Sequence, residues 1–156
     1  MSYDLQAVIA DQEVLRGAAQ DLPVARLATI GQSLALMPMT DALFDSLTDG
    51  SGTGALGFWR LPGAFERTLA DWSASGPVAY VEAEYFGGVG EQRAAVWDAG
   101  TLVLGPLHVE EGRPFPPAGS PISRALRQLG ATAGAGEDEF SAVGLDRYRR
   151  SEAWVA

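Results

Sequence analysis

Residues 77–106, PVAYVEAEYFGGVGEQRAAVWDAGTLVLGP, decide the fold of this 156-residue chain. The segment contains three runs of alternating β-branched, aromatic and polar residues, a pattern that predicts three strands. Glycine adopts positive φ without steric cost, so the glycines between positions 87 and 90 predict the first turn, and Ala99-Gly100 predicts the second. The segment therefore predicts a three-stranded antiparallel meander.

The sequence around the meander predicts helices that cover it, giving a single α+β domain over residues 1–156. Ser120 followed by Pro121 and an apolar stripe is a typical helix start, because the serine caps the first turn and proline fits its first position. Residues 24–37 predict a β-hairpin that extends the sheet, and residues 4–9 predict a short strand. Helices are expected at about 11–20, 40–48, 63–73 and 121–129.

Composition and charge exclude several classes of function. The chain has no cysteine and no lysine, which excludes disulfides, thiolate metal sites, Schiff-base chemistry and a P-loop lysine. Its one histidine, His108, cannot form a multi-histidine metal site. The net charge of −9 argues against nucleic acid and favours a basic protein partner. Neither a signal peptide nor a membrane-spanning segment is evident, so we expect a cytoplasmic protein with no membrane partner.

A G-x-G-x-x-G pattern occurs at Gly52, Gly54 and Gly57. In a dinucleotide-binding motif these glycines follow a strand and open a helix. Here a predicted helix precedes them and Phe58-Trp59-Arg60-Leu61-Pro62 follows. The pattern therefore predicts a loop, and we expect no cofactor.

The candidate functional residues lie on one face of the first meander strand and around its turn. Successive side chains of a strand alternate between faces, so Tyr80, Glu82, Glu84 and Phe86 share one face. Most of this face is apolar, and a carboxylate in such surroundings has a raised pKa unless a donor meets it. The sequence does not show which group donates a hydrogen bond to the Glu82 carboxylate.

A four-residue turn would pair Phe86 with Glu91, which places Glu84 opposite Arg93 and Glu82 opposite Ala95. Arg93 is then the expected partner of Glu84, whereas Glu82 has no evident partner. One interpretation is an acidic site formed by Glu82 and Glu84, with Glu91, Gln92 and Tyr85 around the turn. The other is a solvated strand end with an ordinary Glu–Arg pair. The residues predicted to bind a partner or ligand are Glu82, Glu84, Tyr85, Phe86, Glu91 and Arg93.

The second half of the chain resembles small bacterial proteins of unassigned activity. The similarity lies in residues 84–92, EYFGGVGEQ, with Ala95-Val96-Trp97 after them, and in the later Ala125-Leu126-Arg127, Asp138-Glu139-Phe140, Val143-Gly144-Leu145 and Trp154. Several such compact, acidic, cysteine-free cytoplasmic proteins are immunity partners of secreted toxins. The resemblance implies a non-enzymatic, immunity-type inhibitor of a basic toxin or enzyme. The alternative is a small-ligand-binding protein or enzyme that uses Glu82 and Glu84.

Overall fold

The architecture is described from a computed structural model that covers residues 2–48 and 55–156. Six strands form one antiparallel sheet in the order β2-β3-β1-β4-β5-β6. The strands are β1 (Ser2–Asp11), β2 (Ala28–Thr29), β3 (Leu34–Pro38), β4 (Val78–Phe86), β5 (Val89–Asp98) and β6 (Thr101–Val109). The helices are α1 (Gln12–Ala19), α2 (Asp41–Leu47), α3 (Gly63–Trp72), α4 (Pro121–Gln128) and α5 (Glu139–Ala142), with 3₁₀ turns at Ala55–Gly57, Ser73–Ser75 and Ser151–Val155.

The predicted α+β class and the meander β4-β5-β6 are confirmed, but the way the sheet is extended differs from the prediction. The hairpin β2-β3 does not pair with the meander, because β1 lies between them and pairs with both β3 and β4. Six consecutive residues of β1, from Leu5 to Ala10, are buried. A strand buried on both faces needs a neighbour on each side, so β1 takes the centre of the sheet. The first strand of the predicted hairpin, expected over residues 24–30, contains only the two residues of β2.

Helices cover both faces of the sheet. On one face, α4 and the C-terminal segment pack over the small residues of β4 and β5, with Ile122, Leu126 and Trp154 as the largest contacts. On the other face, α1, α2 and α3 pack over Tyr80 and Trp97. The spacing of Phe65, Leu69 and Trp72 predicts one apolar stripe on α3, but Trp72 lies only partly buried at the margin of this second core.

Side chains cap four of the helix starts, including the predicted cap Ser120. The side chains of Asp11, Thr40, Ser120 and Asp138 each accept a hydrogen bond from a backbone N–H in the first turn of α1, α2, α4 and α5, respectively. These bonds satisfy amide groups that have no partner inside the helix. Of the G-x-G-x-x-G pattern, Gly52 and Gly54 lie outside the described residues, and Gly57 ends a 3₁₀ turn.

The register of the β4-β5 hairpin corrects the predicted pairing by two residues. Gly87 and Gly88 alone form the turn, both with positive φ, and Phe86 pairs with Val89. Two-residue turns with positive φ match the twist of the flanking strands, so the shorter turn is favoured over the four-residue one. Glu84 consequently lies opposite Glu91, and Glu82 lies opposite Arg93.

The pairing of β5 with β6 agrees with the prediction at one end only. A two-residue turn at Ala99-Gly100 predicts Trp97 beside Leu102 and Ala95 beside Leu104. Trp97 does pair with Leu102, but Leu104 pairs with Val96. Register shifts on either side of Val96 account for the difference. An irregularity of this kind inserts an extra residue into a ladder, which a strict alternation of side chains does not anticipate.

Candidate functional site

Glu82 is fully buried, and three donors meet its carboxylate. The backbone N–H groups of Trp59 and Arg60 donate to Oε1 and Oε2, each at 2.7 Å. The Tyr80 hydroxyl lies 3.1 Å from Oε2 and 2.8 Å from the Arg60 carbonyl oxygen. The sequence left Glu82 without an evident partner. Its main partner is the backbone of residues 59–60, which no pattern of side chains could reveal.

The loop that Glu82 holds precedes α3 and is fixed by other contacts as well. The Arg60 guanidinium lies over the Phe44 ring at 4.8 Å and bonds to Asp41 at 3.0 Å. The Trp59 ring stacks on the Arg93 guanidinium at 4.5 Å. Glu82 and these side chains therefore fasten residues 58–61 to the sheet and to α2, which is a structural role.

Burial raises the pKa of the Glu82 carboxyl, and this effect outweighs the three donors and the charge of Arg93, which lower it. The Tyr80 hydroxyl has a single proton and two acceptors within reach, the Arg60 carbonyl oxygen and Glu82 Oε2. The pKa of Tyr80 is also raised, by burial first and by Glu82 second, so the phenol remains a neutral donor.

The opposite pKa shifts of Glu82 and Glu139 predict opposite effects of pH on stability. The pKa of Glu82 is raised in the folded state. The stability that Glu82 contributes is therefore fully present below pH 4.5, the ordinary pKa of a glutamate, and is lost as the pH rises through the folded-state pKa. Glu139 accepts bonds from Arg127 at 3.2 and 3.3 Å, and this pairing lowers its pKa. Its contribution is therefore present above 4.5 and is lost as the pH falls through the folded value.

Urea unfolding of the wild type and of the Glu82→Gln and Glu139→Gln variants between pH 3 and 8 measures both effects. The stability of the wild type relative to Glu82→Gln is expected to decrease as the pH rises above 4.5. Relative to Glu139→Gln, it is expected to decrease as the pH falls below 4.5. A difference between wild type and Glu82→Gln that grows with pH would contradict the assignment of a raised pKa to Glu82.

The other predicted residues of this face stay near the surface, but they pair differently from the expectation. Arg93 bonds to Glu91 at 3.2 Å, so the predicted Glu84–Arg93 pair is wrong and Glu84 remains exposed. The histidine His108 lies opposite Arg93 on β6 and contacts the second Glu91 oxygen at 3.0 Å. Sequence reasoning missed this contact, because the register of β6 depends on its irregularities.

The turn residues Tyr85 and Phe86 point to opposite faces of the sheet. Phe86 is 79% exposed beside the glycine turn, whereas Tyr85 is half-buried on the face covered by α4. The predicted set therefore does not form one site: Glu82 is inaccessible, Tyr85 is on the far face, and the remaining residues form an open surface. Cavities of about 490, 370, 290 and 200 Å³ occur among the described residues, and neither Glu82 nor Glu84 lines any of these four.

The largest of these cavities, about 490 Å³, is a groove between α1 and α3 that the sequence did not single out. Val14 and Trp72 supply apolar surface, and four carboxylates surround it: Asp11, Glu13, Asp21 and Asp71. Capping residues and apolar stripes in the sequence predict where each of these residues lies along its own helix. The sequence alone does not show that the charged ends of two separate helices meet.

Comparison with family models, curated proteins and solved structures finds no match for this chain. Within the described ranges, no group of three or more His, Asp or Glu side chains is arranged to hold a metal ion. The helices of those ranges are also too short or too polar to cross a membrane.

Proposed function

We propose that this chain is a non-enzymatic binding protein that holds a basic protein partner, as an immunity-type inhibitor of a basic toxin or enzyme does. The groove between α1 and α3 is the observation that carries the proposal. Its lining contains four acidic residues and no arginine. A concave surface of one charge concentrates the opposite charge and speeds association with a partner that carries it.

Two of the four carboxylates are available to a partner. Asp11 caps the N–H of Glu13, and Glu13 pairs with Arg16. The side-chain carboxylates of Asp21 and Asp71, both exposed, make no hydrogen bond or ion pair with any residue in 2–48 or 55–156. Unpaired carboxylates retain their full capacity to accept charge-assisted bonds, which an arginine side chain fills in a bidentate manner.

Trp72 gives the groove a second means of recognising a basic side chain. Its ring packs nearly perpendicular to the Phe65 ring, with the centroids 5.3 Å apart, while the residue remains partly accessible in the groove. An arginine or lysine side chain contacts an indole through cation–π attraction and through its aliphatic stem. The combination of Trp72 with Asp21 and Asp71 therefore suits an arginine-rich or lysine-rich segment.

The alternative, catalysis or ligand binding through Glu82 and Glu84, fits the geometry less well. Glu82 has no exposed surface and its oxygens already accept three bonds. Glu84 is exposed on the same strand with no cavity around it among the four described. A reacting group must reach its substrate, and Glu82 does not.

The proposal is tested by capturing a partner from the source organism and measuring inhibition of that partner's activity. The double variant Asp21→Asn/Asp71→Asn is compared with Glu110→Gln/Glu111→Gln, which removes the same number of charges from an exposed loop. The groove variant is expected to bind about tenfold more weakly or worse, mainly through slower association at low salt, and the loop variant is expected to bind almost normally.

Two results would contradict this assignment. Equal losses in the two double variants would show that net charge alone matters and that the groove is not the docking surface. Failure of the full chain to capture or inhibit any basic protein would contradict the binding function itself.

A further inference from the structure

A second cavity, of about 290 Å³, lies on the opposite face of the sheet from the acidic groove. It lies between strands β1, β4 and β5 on one side and the starts of α4 and α5 on the other. Most of its lining is apolar. The lining residues are Tyr3, Ala83, Tyr85, Gln92, Phe115, Ser120, Asp138 and Phe140.

Four aromatic rings from four different segments form its walls. Tyr3 and Tyr85 are directly paired across β1 and β4, and the Phe140 ring lies 5.5 Å from that of Tyr3 at an angle of 57°. Phe115, which is 48% exposed, comes from the loop before α4. The faces of aromatic rings carry negative potential, so a cavity walled by several rings attracts a cation.

The start of α4 does not make this cavity a site for anions, because its amide groups are already used. Pro121 has no N–H group, and the Ile122 N–H donates to the Gln92 side chain at 3.0 Å. The Ser123 N–H donates to the Ser120 hydroxyl at 3.1 Å. The backbone N–H groups of Ile122 and Ser123 are therefore not left for a negatively charged ligand.

The charge at the cavity is negative. Asp138 is the charged residue among those that line it, and one of its oxygens caps the Ser141 N–H at 2.9 Å. Its second oxygen has no partner within residues 2–48 and 55–156. The nearby Arg127 does not offset this charge, because it is paired with Glu139 through two hydrogen bonds.

We propose that the cavity walled by Tyr3, Tyr85, Phe115 and Phe140, with Asp138 at its side, binds a small organic cation of the alkylammonium class. The aromatic side chains contact the cationic head, and the Asp138 carboxylate supplies the counter-charge. The volume of about 290 Å³ is at the lower limit of ligand pockets, which selects a compact head group. This site is separate from the acidic groove and does not depend on the proposed protein partner.

The test compares choline with 3,3-dimethylbutan-1-ol, which has the same shape but no charge. Titration of the full chain is followed by calorimetry and by NMR shifts of the Gln92 and Phe140 amides. Choline is expected to bind about tenfold more tightly than the neutral alcohol, a ratio typical of cation–π recognition in a partly desolvated site. Equal binding of the two compounds, or no binding of choline at millimolar concentration, would overturn the proposal.

Two variants locate the site. Asp138→Asn keeps an N-cap side chain while removing the charge, and Phe115→Ala removes a half-exposed ring that is not part of the core. Each is expected to weaken choline binding about threefold to tenfold while leaving the unfolding transition in place. Phe86→Ala is the matched control, since Phe86 is more exposed than Phe115 and does not line the cavity. If the Phe86 variant loses choline affinity as much as the Phe115 variant does, the site is elsewhere.

Discussion

Replacing Glu82 by alanine is expected to lower the free energy of unfolding by about 2–4 kcal/mol at pH 5, because two partly buried backbone donors lose their acceptor. The Trp59 and Arg60 N–H groups each donate to this carboxylate at 2.7 Å. Tyr80 keeps the Arg60 carbonyl as a partner, so the damage is concentrated in the loop. Urea unfolding gives the total effect, and amide hydrogen exchange at Trp59 and Arg60 shows whether the loop opens locally.

Glu84→Ala is the matched control for this experiment. Glu84 lies two residues further along β4, on the same face, and is exposed. Substitutions at such surface positions usually change stability by less than about 0.5 kcal/mol. Comparable losses in the two alanine variants, or unchanged exchange at Trp59 and Arg60, would show that Glu82 does not hold the loop.

Replacing Gly90 by alanine is expected to destabilise the protein by about 1–3 kcal/mol, the usual range when atoms are forced into a packed region. A Cβ at this position would overlap the Glu84 carbonyl oxygen and lie 2.6 Å from the Tyr85 Cα. Both are backbone atoms, so no rotamer change removes the overlap. Gly90 pairs directly with Tyr85, and the variant is therefore also expected to displace the Tyr85 ring from the aromatic cavity.

Gly17→Ala is a control variant for which the opposite change in stability is expected. Gly17 lies inside α1, and a Cβ there would meet no atom within 4 Å. Alanine in a helix interior is favoured over glycine by about 0.5–1 kcal/mol, so this variant is expected to be more stable than the wild type. Thermal unfolding of the two variants measures both changes. A Gly90→Ala protein as stable as the wild type would mean that the β4-β5 pairing is looser than the structure shows.

The predicted and the observed pairings of the β4-β5 hairpin show what a local sequence pattern can and cannot predict. The alternation of side chains assigned every residue of β4 to the correct face, since a shift of two residues leaves the faces unchanged. The same shift replaced the expected Glu84–Arg93 pair with Glu91–Arg93. Predicting that pair required the length of the turn, and three glycines in four residues allow more than one length.

The candidate site was less predictable than the fold, because its contacts join segments that are distant in the sequence. Glu82 was correctly identified as a carboxylate in need of a partner, and that partner is the backbone of residues 59–60. Backbone donors carry no residue-specific pattern. The acidic groove joins α1 to α3, and the aromatic cavity joins β1, β4, the loop before α4 and α5.

The sequence by itself determined the α+β class, the three-stranded meander, the capped helix starts and the acidic charge, because each depends on propensities or periodicities within a few residues. Only the tertiary structure decided that β1 occupies the centre of the sheet, that Glu82 holds a loop, and which carboxylates and rings meet at a cavity. These features depend on the pairing of distant segments, which is settled by burial across the whole chain and not by any local pattern.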